Sequence, residues 1–258
     1  MGIGTIQVTL DGPPEIHNKR RPLVGGGETF DKIIENLKNA PWEVEILIKI
    51  NIDKENFDKA SKVLDYLETL KNRENLYISF NIVDPSSPIC APYIYQSFAE
   101  KEFAKIEINL SRAAVKRGFK LLRRLVTLNQ TLCHAAEFNN FIVDPEGRLF
   151  KCYLESSDQS NAIGFLDKNG DIKITNHLKL LEWISWDVTE DLKCKKCEIL
   201  PICMGGCRYR RERKVLGEGE GCTFWKYNLK EACGLFYQWK KQLDKKIRSS
   251  YEDDEIHR

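Results

Sequence analysis

The sequence predicts an α/β chain, a parallel sheet with helices on its outside followed by a small α+β region gathered around cysteines. Two observations carry this. In the first third, strand-like and helix-like periodicities alternate as β-α-β-α-β, an order that crossover handedness turns into a parallel sheet flanked by helices. Beyond residue 130, regular periodicity gives way to short hairpin signals and a dense set of thiols.

Residues 5–10 (TIQVTL) read as a buried strand entering the loop Asp11-Gly12-Pro13-Pro14. Phe30, Ile33, Ile34 and Leu37 have helical spacing behind Thr29 as N-cap. Residues 44–52 alternate as a strand, 57–70 form an amphipathic helix through Ala60, Val63, Leu64 and Leu67, and 76–83 form a third strand. A loop at 84–92 holds Cys90, and a basic amphipathic helix is expected within 107–126. Hairpins follow at 141–153, turning at Pro145-Glu146-Gly147, and around Asn169-Gly170. A helix near 178–184 leads into the cysteines, and another spans 228–248 before a polar tail expected to fray.

Composition excludes several classes. With 258 residues, 42% hydrophobic and 30% charged, and a net charge of +2, the chain has no basic block interleaved with aromatics, so nucleic acid is not an expected partner. The longest apolar runs, such as 43–52, are interrupted by charge and too short for a bilayer. The opening GIGTIQVTLDG reads as strand rather than leader, so nine cysteines are expected reduced and metal-bound in a cytoplasmic protein.

Cys194, Cys197, Cys203 and Cys207 are spaced C-x2-C-x5-C-x3-C, with Gly205-Gly206 before the last. A C-x2-C turn points two sulfurs at one centre, and the glycines let backbone wrap closely around it. A structural zinc ion would account for these four but leave Cys133, Cys152 and Cys222 unexplained. Seven thiols suit iron–sulfur chemistry better. Cys133-x13-Gly147-x4-Cys152, then the four-cysteine run, then Cys222 resembles the seven-cysteine SPASM motif of radical S-adenosylmethionine (SAM) enzymes that modify peptides and proteins.

The resemblance implies a partial radical SAM (β/α) barrel, its last three strands, followed by a small α+β SPASM iron–sulfur domain. Domains are expected at 1–126 (barrel half and connecting helix), 127–235 (SPASM) and 236–258 (helix end and tail). It further implies two auxiliary [4Fe-4S] clusters. Cys133, Cys152 and Cys207 would hold the proximal one, and Cys194, Cys197, Cys203 and Cys222 the distal one. The proximal set lacks a fourth cysteine, which leaves either an open iron or closure by Cys90. Cys233, on an apolar helical pattern, competes with Cys222 as last ligand. His134, beside Cys133, reads as an ordinary histidine.

Gln7, Asp11 and Asn51 are implied to face the SAM and substrate side of the barrel, with the loop through His17 and Arg20-Arg21. The C-x3-C-x2-C segment that cleaves SAM in this family is absent from these 258 residues, so SAM is expected only in a complete enzyme. Tyr153 follows Cys152 where sulfatase-maturating members carry an aspartate base. A phenol titrating near ~10 is a poor base at neutral pH, which points away from formylglycine formation towards other peptide modification. The expected partners are a peptide or protein substrate and a separate chain supplying the other barrel half, without nucleic acid or membrane. The alternatives are a non-catalytic iron–sulfur electron-transfer or peptide-binding module, a truncated gene product, and a structural zinc protein.

Overall fold

The computed structural model describes residues 2–41, 43–86, 91–121, 133–213 and 221–256, with backbone alone at 91–93 and 242–256. The chain forms two compact units. One comprises Met1–Val83, Lys101–Val126 and Tyr227–Arg258; the other comprises Asp84–Glu100 and Thr127–Lys226. Segment 84–100 thus groups with the cysteine region, and the C-terminal helix from Tyr227 groups with the parallel sheet.

The first unit carries β1 (Thr5–Thr9), α1 (Pro14–Arg20), α2 (Phe30–Lys38), β2 (Glu45–Ile52), α3 (Val63–Glu68), β3 (Leu76–Ile82), most of α4 (Glu100–Lys116) and β4 (Lys120–Leu121). The strands pair in the order β1-β2-β3-β4, all parallel. On one face Ile46, Ile48, Ile50 and Ile52 are fully buried, as are Phe30 of α2 and Val63, Leu64 and Leu67 of α3. Each such side chain contributes about 1.5–3 kcal/mol by burial. The opposite face is different. Gln7 aligns with Leu47, Lys49 with Ser79, and Asn51 with Asn81, giving a polar, partly exposed surface. Parallel sheets ordinarily bury both faces.

Four elements depart from expectation. Thr29 does not cap α2. Its hydroxyl donates to the Arg21 carbonyl (2.7 Å), while the Asn18 carboxamide accepts from the Thr29 and Phe30 amides at 3.1 and 2.9 Å. The helix expected over 57–70 shortens to a 3-10 turn, Ala60–Lys62, and α3, because Asn56 is tied back to the carbonyls of Asp11 and Asn51. The helix expected within 107–126 starts at Glu100 and stops at Lys116 before Gly118 (φ 84°). Leu121 then joins the sheet in a fourth strand where three were expected; residues 122–126 lie outside those described.

The second unit holds an antiparallel sheet of β5 (Ile142–Val143), β6 (Arg148–Phe150), β7 (Gly164–Leu166) and β8 (Ile172–Ile174). Its outer hairpins turn at Gly147 and Gly170, both at positive φ (81° and 82°) as hairpin turns require. Leu149, Ile163 and Leu180 form its buried centre. Four short helices follow: α5 (His177–Ile184), α6 (Leu192–Lys195), α7 (Leu200–Cys203) and α8 (Arg208–Arg213). The last helix, α9 (Trp225–Ile256), breaks at Asn228 (φ −142°) and continues through the tail expected to fray.

Candidate metal centre

Cys194 and Cys203 sit on four-residue helices, the other candidate ligands on turns and loops, and side-chain and backbone hydrogen bonds hold these segments in place. The Asp191 carboxylate accepts from the amides of Lys193 (2.8 Å) and Cys194 (3.0 Å), capping α6 and setting Cys194 in its first turn. The Cys197 amide donates to the Cys194 carbonyl at 2.9 Å, closing the C-x2-C turn. α7 ends at Met204 in the left-handed region (φ 47°), followed by Gly205 (88°) and Gly206 (67°). A Cβ at Gly206 would lie 2.0 Å from the Gly221 carbonyl oxygen, so only glycine allows this approach. The same oxygen accepts from the Cys207 amide at 2.8 Å, which draws Cys222 against the loop.

The thiols fall into two electrostatic neighbourhoods. Burial raises Cys203, with Cys222 and Cys197 adding to the effect, and burial raises Cys194, with Cys222 and Cys203 adding. Burial pushes Cys152 up to about 12, with Cys207 and Cys133 adding, and burial raises Cys207, with Cys133 adding. Cys203 and Cys207, four residues apart, therefore face different partners. Cys152 also shares a buried cluster with Ala135, Leu154, Trp183 and Tyr209, against which Cys207 packs. Cys133 itself is exposed.

These sulfurs are nonetheless furnished with donors. The Leu154 amide opposes the rise at Cys152, those of Thr223 and Gly205 oppose it at Cys203, and that of Arg210 opposes it at Cys207. Amide donors favour the anionic sulfur, and a coordinated thiol loses its proton outright. The donor set therefore fits thiolates bound to metal. Among the described residues, no three His, Cys, Asp or Glu side chains close upon a point as a single ion would require.

Of the competing thiols, Cys90 lies outside the described residues. Cys233 is half-buried on α9 in the first unit, whereas Cys222 lies beside Cys194 and Cys203. His134 is exposed and bonded to Glu137 at 3.0 Å. Tyr153 is exposed, and its phenol is raised above its ordinary value by desolvation and then by Asp84.

Several residues unmarked in the sequence organise the site. Lys151, 2% exposed, donates to the carbonyls of Glu137 and, at 2.7 Å, of Asn140, and lies over the Phe141 ring at 4.9 Å. It ties the segment after Cys133 to the strand leading into Cys152. Arg211 pairs with Asp191 and lies 4.0 Å from the Cys222 sulfur. Arg210, buried, pairs with Glu100 (3.0 Å) and Asp84 (3.4 Å). Only Asp191 carried a signal, as an aspartate three residues before a helical cysteine.

In the first unit, Gln7 and Asn51 share the polar face of the sheet, Gln7 exposed. Asp11 is 4% exposed at the end of β1, with both carboxylate oxygens engaged: one accepts from Asn51 Nδ2 (2.9 Å), the other from Arg21 Nε (2.7 Å). Its amide donates to His17 Nδ1 at 3.3 Å. Arg20 pairs with Asp53 at 2.8 Å. The structure thus joins Asp11 to Asn51 directly and leaves Gln7 apart.

The described residues thus hold a parallel sheet with one polar face and a separate region that carries seven of the cysteines. No protein-family model matches the chain. Curated relatives do. It is 25% identical over 221 residues to the cysteine-type anaerobic sulfatase-maturating enzyme of Clostridium novyi, covering 80% of this chain and 58% of that protein. It is 26% identical over 227 residues to the enzyme of the same name from Clostridium perfringens, covering 81% and 59%. The chain's homologues are therefore anaerobic sulfatase-maturating enzymes of the radical SAM/SPASM kind. It spans under two thirds of their length. Among solved structures, "Native anSMEcpe with bound AdoMet and Kp18Cys peptide" aligns with TM-score 0.56 at 19% identity, covering 92% of this chain and 69% of that one. The complex with Cp18Cys peptide aligns with TM-score 0.56 at 20% identity, covering 96% and 70%. These likenesses show the fold, α/β with a parallel sheet.

Proposed function

We propose that the chain is the C-terminal part of a radical SAM/SPASM oxidoreductase that modifies a peptide or protein, with two auxiliary [4Fe-4S] clusters. The observation that carries this is the division of seven thiols into Cys133, Cys152 and Cys207 on one side and Cys194, Cys197, Cys203 and Cys222 on the other. When bound, such clusters would supply one-electron transfer, Cys133, Cys152 and Cys207 holding the first and Cys194, Cys197, Cys203 and Cys222 the second.

The protein's part is to hold and shield them. Asp191 orients Cys194, the glycine pair brings Cys222 against the loop, and Lys151 fixes the segment between Cys133 and Cys152. The buried Trp183, Leu154 and Tyr209 pack around Cys152 and Cys207 and limit their access to water. In the sheet unit, the polar face bearing Gln7 and Asn51 is the surface towards SAM and peptide, with Asp11 holding Asn51 in place. SAM cleavage itself would rest with residues outside these 258. Tyr153 in place of a carboxylate keeps the reading at peptide modification other than formylglycine formation.

Iron, zinc and acid-labile sulfide, measured per chain after anaerobic reconstitution, test the proposal. About eight irons with matching sulfide, the content of two cubanes, are expected. One or two zinc ions without sulfide would replace this reading with a structural zinc site.

A further inference from the structure

α8 follows Cys207 directly and carries two consecutive arginines that go to different cysteine sets. Arg210 is buried between two carboxylates, Glu100 at 3.0 Å and Asp84 at 3.4 Å, and Glu100 also accepts from the Gly221 amide at 3.0 Å. Its backbone amide and its charge are directed at Cys207. Among the described residues Arg211 meets one carboxylate, Asp191, through its Nη2, and its Nη1 lies 4.0 Å from the Cys222 sulfur. Burial opposes its charge, but Cys194, Asp191 and Cys222 together hold it charged. Two features show that this placement is built in. Asp191 meets Arg211 while also capping the turn that carries Cys194. Gly221 lies so close that a Cβ there would be 2.5 Å from Arg211 Cγ and 2.9 Å from its amide nitrogen.

We propose that Arg211 is a positioning residue that sets the reduction potential of the distal iron–sulfur group, by directing a guanidinium charge and an N–H donor at its sulfurs, while Asp191 trims that charge. The inference rests on the cluster reading above. Donors at sulfur and nearby positive charge both stabilise the reduced, more negative state of a cluster and so raise its potential. Arg210, offset by two carboxylates, has the weaker effect on the proximal group. The two clusters are thereby made unequal, the distal one being the better electron acceptor for its surroundings.

The test is a spectroscopically monitored redox titration of the full chain reconstituted with iron and sulfide. In Arg211→Gln, one of the two midpoint potentials shifts to more negative values and the other stays. Arg211→Lys keeps the charge and recovers most of the shift. Asp191→Asn retains a capping acceptor but removes the opposing charge, and moves the same potential upward. Unchanged potentials in a fully loaded Arg211→Gln overturn the inference. So does loss of iron in the Gln and Lys variants alike, which would make Arg211 a structural prop. A wild-type chain that takes up no iron overturns the cluster reading itself, and this inference with it. A chain with two clusters and no response to Arg211 overturns the inference alone.

Discussion

The two units hold themselves together by opposite means. The sheet unit buries a layer of isoleucines and leucines, and its polar groups at the strand ends satisfy one another: Asp11 with Arg21 and Asn51, Asp53 with Arg20, Asn56 with the carbonyls of Asp11 and Asn51. The cysteine unit has strands of two or three residues and helices as short as four, with glycines at positive φ where chains approach. Burial keeps its thiols Cys152, Cys194, Cys203 and Cys207 in the neutral form. One unit is held by its apolar layer and paired polar groups; the other is held by caps and close glycine contacts around its cysteines.

The strongest way to break that comparison is to remove two ligands. Cys194→Ser/Cys197→Ser loses about four of the eight irons expected, one cubane, by iron assay, while urea unfolding of the sheet unit stays where it was. Retention of all the iron would refute the assignment of these thiols. Next in size, Ile50→Ala in the sheet unit destabilises by ~2–5 kcal/mol in urea without changing iron per chain, since Ile50 is fully buried there. Gly206→Ala is smaller in stability, about 1–3 kcal/mol for a strained left-handed residue, but lowers iron uptake because the Cβ cannot coexist with the Gly221 carbonyl. An alanine variant with normal iron would show that the close approach is dispensable.

The smallest effect is acid sensitivity of the sheet unit. His17 is fully buried and its pKa is lowered by burial, then Arg21, against the opposing charge of Asp11. Unfolded, it takes a proton near its ordinary value of 6.5. The neutral form's contribution is therefore whole above that value and fades as pH falls through it, with a slope of at most ~1.4 kcal/mol per pH unit for one proton. Urea midpoints taken at steps from pH 8 to pH 5 should decline, and His17→Gln should flatten the decline. An equal slope in both proteins would assign the sensitivity elsewhere.

The alternation EILIKINI declared β2, and Asn169-Gly170 declared its hairpin, because both signals are local. The two-residue β4 carries no periodicity, and it exists only because Gly118 ends α4 and turns Phe119 and Leu121 into the buried layer. The broken helix over 57–70 had a long-range cause, Asn56 held by Asp11 across 45 residues. At the cysteines, spacing and resemblance named the thiols. They did not name what surrounds them, because Arg211 meets Asp191 across 20 residues and Glu100 meets Gly221 across 121. A pattern read along the chain cannot register a charge delivered from so far away.

Lys151 has a consequence for the conditions the protein tolerates. Its side chain, 2% exposed, satisfies the Glu137 and Asn140 carbonyls with a cation the chain itself carries. A tethered cation cannot be exchanged, diluted or competed away, and a buried charge is screened little by dissolved electrolyte. The pair Arg208–Glu212, with its carboxylate exposed, weakens in brine. The Lys151 contacts beside Cys133 are therefore less sensitive to salt than pairs at the surface.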